Sequence, residues 1–203
     1  MTARRLAQRG LGLAMAAGVL VPGLAHRAAG GDEHRPRWSV TAAVPAKRQK
    51  TIAWCWLAVA QMALDYFAVD DIPSQCRLME LGYGLANGYC CDDTARCTWP
   101  GSEQQIKAVI EHFGGLATSS REPPPNSKAI YDALSAGDLV IALIGAGFGQ
   151  GHAVVVRGVR MEAEAGGYAP YLLVNDPLAR VPEKIEFSKL REVWQRTIIV
   201  REH

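Results

Sequence analysis

The sequence predicts an α+β fold in which a helical lobe with one long helix packs on an antiparallel β lobe. Three observations predict it. Residues 55–67 (CWLAVAQMALDYF) contain no Gly or Pro and are apolar nearly all round, the pattern of a buried helix. Beyond residue 137 the chain changes to short β-branched runs separated by Gly-rich or polar turns. Helices first and strands second point to α+β rather than to an alternating α/β order. With 203 residues, 49% hydrophobic and 21% charged, the chain is apolar enough for a core and too evenly charged for disorder. A net charge of +2 gives no basic patch for nucleic acid.

Arg4, Arg5 and Arg9 precede an apolar run from Leu11 to Ala25 that closes on Gly23-Leu24-Ala25. A positive start, a short apolar centre and a small-residue exit read as a signal peptide over 1–25. The run contains Pro22 and is shorter than the ~20 residues a membrane span needs, so no membrane anchor is expected after cleavage. The protein is therefore expected to be exported, periplasmic or secreted. Residues 26–37 read as a flexible lead-in to one domain over 38–203. That domain divides into a helical lobe at about 50–122 and a β lobe at about 137–203.

Trp38, Val40, Ala42 and Val44 alternate with smaller residues as a weak edge strand, which Pro45 ends. After the long helix, Ser74 to Leu81 reads as a second, short one. Residues 82–100 lack apolar periodicity and need cross-links. Cys76, Cys90, Cys91 and Cys97 supply them, as two disulfides in an oxidising compartment. A bridge between neighbours Cys90 and Cys91 would be a strained ring, so two connectivities stay open. Adjacent cysteines do not match zinc-ligand spacing, and no metal or cofactor is expected. Ser102-Glu-Gln-Gln105 is a capping box that opens a helix to about His112, before Gly114-Gly115. Pro123-Pro124-Pro125 is a rigid connector. Asn126 caps a helix to Ala136, with Gly137 beyond its end. The strands follow at 139–144, 153–159, 171–174 and 197–200.

Cys55 is left without a partner among the five cysteines, at the first turn of the long helix. Unpaired N–H groups at a helix start favour a thiolate. Its bland alternative is a buried structural cysteine. His152 follows a Gly-rich turn and begins Ala153-Val-Val-Val156, and Asp176 ends Tyr171-Leu-Leu-Val-Asn175. Adjacent antiparallel strands would set His152 beside the Asn175-Asp176 pair, where a carboxylate can orient an imidazole.

A helix-start Cys, a strand-start His and a strand-end Asn or Asp, in that order, resemble the papain-like cysteine peptidases. Gln49 stands six residues before Cys55, as that family's oxyanion-hole glutamine does, and Cys55-Trp56 is similar to its nucleophile motif. His152-Ala-Val-Val-Val-Arg-Gly158 and Tyr171-Leu-Leu-Val-Asn-Asp176 resemble its other two motifs, with its asparagine falling on Asp176. The segment Gln49-Lys-Thr-Ile-Ala-Trp-Cys-Trp56, Gln61-Met62, the Asp-Pro at 176–177 and the Cys-Cys pair are closer to its compact bacterial branch, C39-like and C70-like. That tryptophan which follows the third catalytic residue in the family is replaced here by Pro177-Leu178. The resemblance implies a papain-like fold and a thiol protease using Cys55, His152, Asp176 and Gln49. Trp56, Gly149, Gly151 and Asn175 are expected around the substrate cleft.

The glycines at 145, 147, 149 and 151 do not make a dinucleotide fingerprint: the third glycine of G-x-G-x-x-G would fall on Gln150, and a strand follows. They read as a loop beside His152. The expected partner is a protein or peptide substrate, met by a monomer. The same set would serve an amidase or acyl transferase, and without chemistry the fold would be a peptide-binding module.

Overall fold

The computed structural model describes residues 38–120, 122–145 and 151–202. The expected signal peptide, the lead-in, Gly149 and most of the glycine loop lie outside the described residues. The helices are α1 (Cys55–Tyr66), α2 (Gln75–Tyr83), α3 (Glu103–His112), α4 (Ser127–Ser135) and α5 (Phe187–Val193). The strands are β1 (Ser39–Thr41), β2 (Leu116–Ser120), β3 (Leu139–Ile144), β4 (His152–Glu164), β5 (Gly167–Asn175), β6 (Lys184–Glu186) and β7 (Trp194–Arg201). Among the described residues they form one antiparallel sheet in the order β2-β7-β3-β4-β5-β6, and β1 pairs with β4. The fold is α+β, as the sequence predicts.

Local chemistry accounts for the boundaries. At α3 both halves of the capping box form: Ser102 Oγ accepts from the Gln105 N–H, and the Gln105 side chain accepts from the Ser102 N–H. Asn126 caps α4 through the Ala129 N–H at 3.0 Å, and Gly137 takes the left-handed φ of +87° just past its end. No side chain caps α1, because the residue before it is Trp54, whose indole is engaged elsewhere.

All but Leu143 in β3, and all of Ala153–Val156 in β4, are buried, so both faces of the sheet's centre are covered. α1 and α4 each pack on β4. α1 sits deepest, with eight of its residues from Trp56 to Leu64 buried, which is why its sequence is apolar nearly all round. A bulge in β4 between Val156 and Gly158 shifts its register against β5. Gly158 is needed there: a Cβ would stand 2.9 Å from the Val40 carbonyl and 3.0 Å from Leu173.

The loop-rich segment is tied by Cys76–Cys91 and Cys90–Cys97, one of the two connectivities the sequence leaves open. At its centre is Glu80, 2% exposed, which pairs with Arg77 and accepts the backbone N–H groups of Cys90 and Cys91 at 2.9 and 3.2 Å. Burial alone would raise its pKa, but these backbone donors and the arginine outweigh it and hold the carboxyl below the usual range.

Candidate active site

Cys55 opens α1 and is the only one of the five cysteines outside a disulfide. With no side-chain cap, and with the Leu57 and Ala58 N–H groups both given to the Trp54 carbonyl, those of Cys55 and Trp56 are left for whatever approaches the helix start. Its two neighbours are braced to the disulfide-tied segment. Trp54 Nε1 donates to the Cys97 carbonyl at 2.7 Å, and Trp56 Nε1 to the Trp99 carbonyl at 3.4 Å. Gly101 lies flat on the Trp56 indole, where a Cβ would come within 2.2 Å of Cδ2. The Cys90–Cys97 cross-link, 35 and 42 residues beyond Cys55, thereby reaches the helix start.

His152 begins β4 opposite Ile144 of β3, at the mouth of the sheet, and is 6% exposed. Its Nε2 lies 2.6 Å from Asp176 Oδ1, and Cys55 is close enough to its ring to raise its pKa. Since Nε2 is taken by the carboxylate, Nδ1 is the nitrogen left for sulfur. Asp176 stands one residue past β5, where a tight turn folds back over it. Its Oδ1 also accepts from the Leu178 N–H, and its Oδ2 from those of Arg180 and Val181, all at 2.7 Å. Ala179 adopts a left-handed φ of +53° in that turn, which lets the successive N–H groups converge on the carboxylate.

The electrostatics follow from these contacts. Burial pushes the His152 pKa down, but the hydrogen bond its ring gives to the Asp176 carboxylate, with the nearby Cys55, outweighs it and raises it to about 9. Burial likewise opposes the charged form of Asp176, yet His152 and the turn N–H groups lower its pKa to about 2. A carboxylate and an imidazolium beside a thiol are the parts of a nucleophilic acyl-transfer site. Two cavities, of about 320 and 400 Å³, open on Cys55 and His152 and share Pro100, Gly101 and Gly151 as walls.

Residues 41–198 match the model of the peptidase C39-like family. The chain belongs to that family. Among solved structures, the C39-like peptidase is similar to the peptidase domain of Streptococcus ComA, a bi-functional ABC transporter involved in quorum sensing. That match has 14% identity and a TM-score of 0.54, and covers 78% of this chain and 98% of the other. A double glycine motif protease from an AMS/PCAT transporter, solved with its leader peptide, matches at 16% identity and a TM-score of 0.53, over 81% and 95% of the two chains. SERA5E from Plasmodium falciparum matches at 14% identity and a TM-score of 0.50, over 79% and 91%. These likenesses show the papain-like fold. No curated protein matches the chain significantly.

Within this C39-like cysteine peptidase the structure brings Cys55, His152 and Asp176 together and distributes the other expected residues differently. Gln49 reaches the neighbourhood through its backbone N–H, 3.4 Å from the Pro177 carbonyl. Its Nε2 donates to the Thr51 carbonyl at 2.7 Å, while its Oε1 is buried with no partner among the described residues. Trp56 is 1% exposed, a core residue with one edge on the smaller cavity. Gly151 lines both cavities. Asn175 is a correction: it lines neither. The bulge re-aims Arg157 so that its Nε donates to Asn175 Oδ1 at 2.9 Å, and Asn175 Nδ2 donates to the Val44 carbonyl at 2.9 Å, which consumes the amide as a buried brace. Sequence reasoning missed Pro100 and Gly101 as cleft walls. A glycine just before a capping box was the available signal, and it reads equally well as punctuation.

Proposed function

We propose that this C39-like peptidase is exported and cleaves peptide bonds through a Cys55–His152–Asp176 triad. The observation that carries the reading is His152, hydrogen-bonded to Asp176 at 2.6 Å and sharing the walls of two open cavities with Cys55. Cys55 gives its thiol proton to His152, and the sulfur attacks the scissile carbonyl carbon as the carbonyl electron pair moves to oxygen. The backbone N–H of Cys55, uncapped at the start of α1, would receive that oxyanion, a stabilisation worth about 3–4 kcal/mol per donor. The Gln49 amide spends one of its two N–H groups on the Thr51 carbonyl, and the other would join the Cys55 N–H.

Collapse of the tetrahedral species breaks the C–N bond, and the His152 imidazolium gives its proton to the leaving amine. The neutral imidazole then takes a proton from water, whose oxygen attacks the thioester and releases the acid and the thiol. Asp176 keeps the ring oriented throughout and favours its protonated form. Peptides are the proposed substrates, in line with the leader peptide held by the double glycine motif protease.

The test compares the protein with its Cys55→Ala variant on a proteome-derived peptide mixture, reading new termini by mass spectrometry. New termini that require Cys55 are the expected result. Hydrolysis or transfer at side-chain amides alone would make the chain an amidase or acyl transferase, and turnover unaffected by Cys55→Ala would sink the triad.

A further inference from the structure

The two cavities that meet at Cys55 differ in chemistry. The larger is walled by Ile52, which is 72% exposed, with Leu178 and Arg180. The smaller is apolar beside the thiol, where Trp56, Ile106, Leu143 and Ala153 line it, and it also takes in an ion pair. Arg196 Nη1 of β7 lies 2.9 Å from the carboxylate of Glu103, the first residue of α3. The partners are unequally placed, because the Glu103 side chain is 11% exposed and that of Arg196 is 45% exposed. The accessible charge at this wall is therefore the cation. A guanidinium carries five N–H donors in a planar fork, and the bond to Glu103 uses Nη1.

Both members stand on rigid elements, one at a helix start fixed by its capping box and the other on a strand between β2 and β3. A basic side chain entering here would meet Arg196 first and would have to compete for Glu103. An acidic one can accept from the remaining donors while Glu103 still holds the guanidinium in place. A cavity of about 320 Å³ spans on the order of 8 Å, the reach of two to three residues of extended peptide.

We propose that Arg196 is a specificity residue, receiving an acidic side chain of the substrate peptide within two or three residues of the scissile bond. This deepens the peptidase reading and rests on it, so its test needs one readout that turnover does not decide.

In the first arm, the wild type and the Arg196→Met and Arg196→Lys variants act on the peptide mixture, and then on matched Glu and Gln peptides. In the second, the mixture is passed over immobilised Cys55→Ala and Cys55→Ala/Arg196→Met proteins, and retained peptides are sequenced. The expected result is Asp or Glu enriched at one position near each cleavage, with the Glu peptide favoured by about tenfold or more, as suits a charged hydrogen bond. Arg196→Met should erase that ratio, Arg196→Lys should keep part of it, and acidic peptides should be retained only when Arg196 is present. Cleavage that requires Cys55 but shows no acidic preference would overturn this proposal and leave the peptidase standing. A preference unchanged in Arg196→Met would overturn it too. Retention of acidic peptides through Arg196 without any cleavage would uphold the site and remove the peptidase reading.

Discussion

His152 is the residue on which the geometry turns, because its position depends on Asp176 and its proton on the balance of burial against charge. Its pKa of about 9 lies above the ordinary 6.5, so the contact stabilises the folded chain below pH 6.5 and that stability is lost as the pH rises through 9. For Asp176, at about 2 against an ordinary 3.8, the contribution is present above 3.8 and is lost as the pH falls through 2. Asp176→Asn should therefore do two things. It should move the alkaline loss of activity and of thermal stability down from about 9 toward 6.5. It should also lower stability by about 1–3 kcal/mol at neutral pH, since an amide NH2 would face one or both of the N–H groups of Arg180 and Val181. Superimposable pH profiles of kcat/KM and melting temperature for the two proteins would show that the carboxylate charge is not what raises His152.

At the scale of elements, α2 and the disulfide-tied segment act as a buttress for the start of α1. Glu80 is its anchor: a buried carboxylate at the foot of both Cys90 and Cys91, whose chain continues to the Cys97 and Trp99 carbonyls that hold Trp54 and Trp56. Glu80→Ala orphans the buried Cys90 N–H and the half-buried Cys91 N–H, which should cost about 2–4 kcal/mol, while Arg77, 41% exposed, can turn to solvent. Glu80→Gln keeps an acceptor and should cost less. Urea midpoints of the two variants measure the difference, and equal midpoints would mean that the acceptor kept by the amide does nothing for the Cys90 and Cys91 N–H groups. The short elements were the hardest to read. β2 (LATSS) has almost no apolar content and is a strand because β7 supplies its partners. In α5 and β6, charges at 183–192 hide two anchors, Phe187 and Leu190, which are buried only because β5 lies under them.

For the whole molecule, the disulfides and the thiol should respond separately to reductant. Cys90 and Cys97 are 0% exposed and Cys76 9%, whereas Cys55 faces the cavities. In native buffer with mild dithiol, one thiol per chain should react with iodoacetamide, and it should be Cys55. In denaturant with reductant all five should react. Chain refolded with its cysteines blocked should lose about 3 kcal/mol for the 15-residue Cys76–Cys91 loop alone. Five reactive thiols under native conditions would mean that the buttress opens without unfolding.

The sequence by itself determined what local chemistry can fix. The helices at 55, 103 and 127, the capping box, the Asn126 cap, and the positions of Cys55, His152 and Asp176 at element ends were all legible, because periodicity and capping act over a few residues. It also led to the family, through three short windows. Tertiary structure decided the rest. Cys90 chose Cys97 because the turn of 3-10 helix at 94–97 returns the chain to it. Asn175 and Asp176 look interchangeable in sequence, yet the strand end and the turn after it send one to Arg157 and the other to His152. Glu103 and Arg196 are 93 residues apart and meet only when α3 is laid beside β7. No local pattern encodes such a meeting, since its free energy comes from burial and charge that exist only once the core has closed.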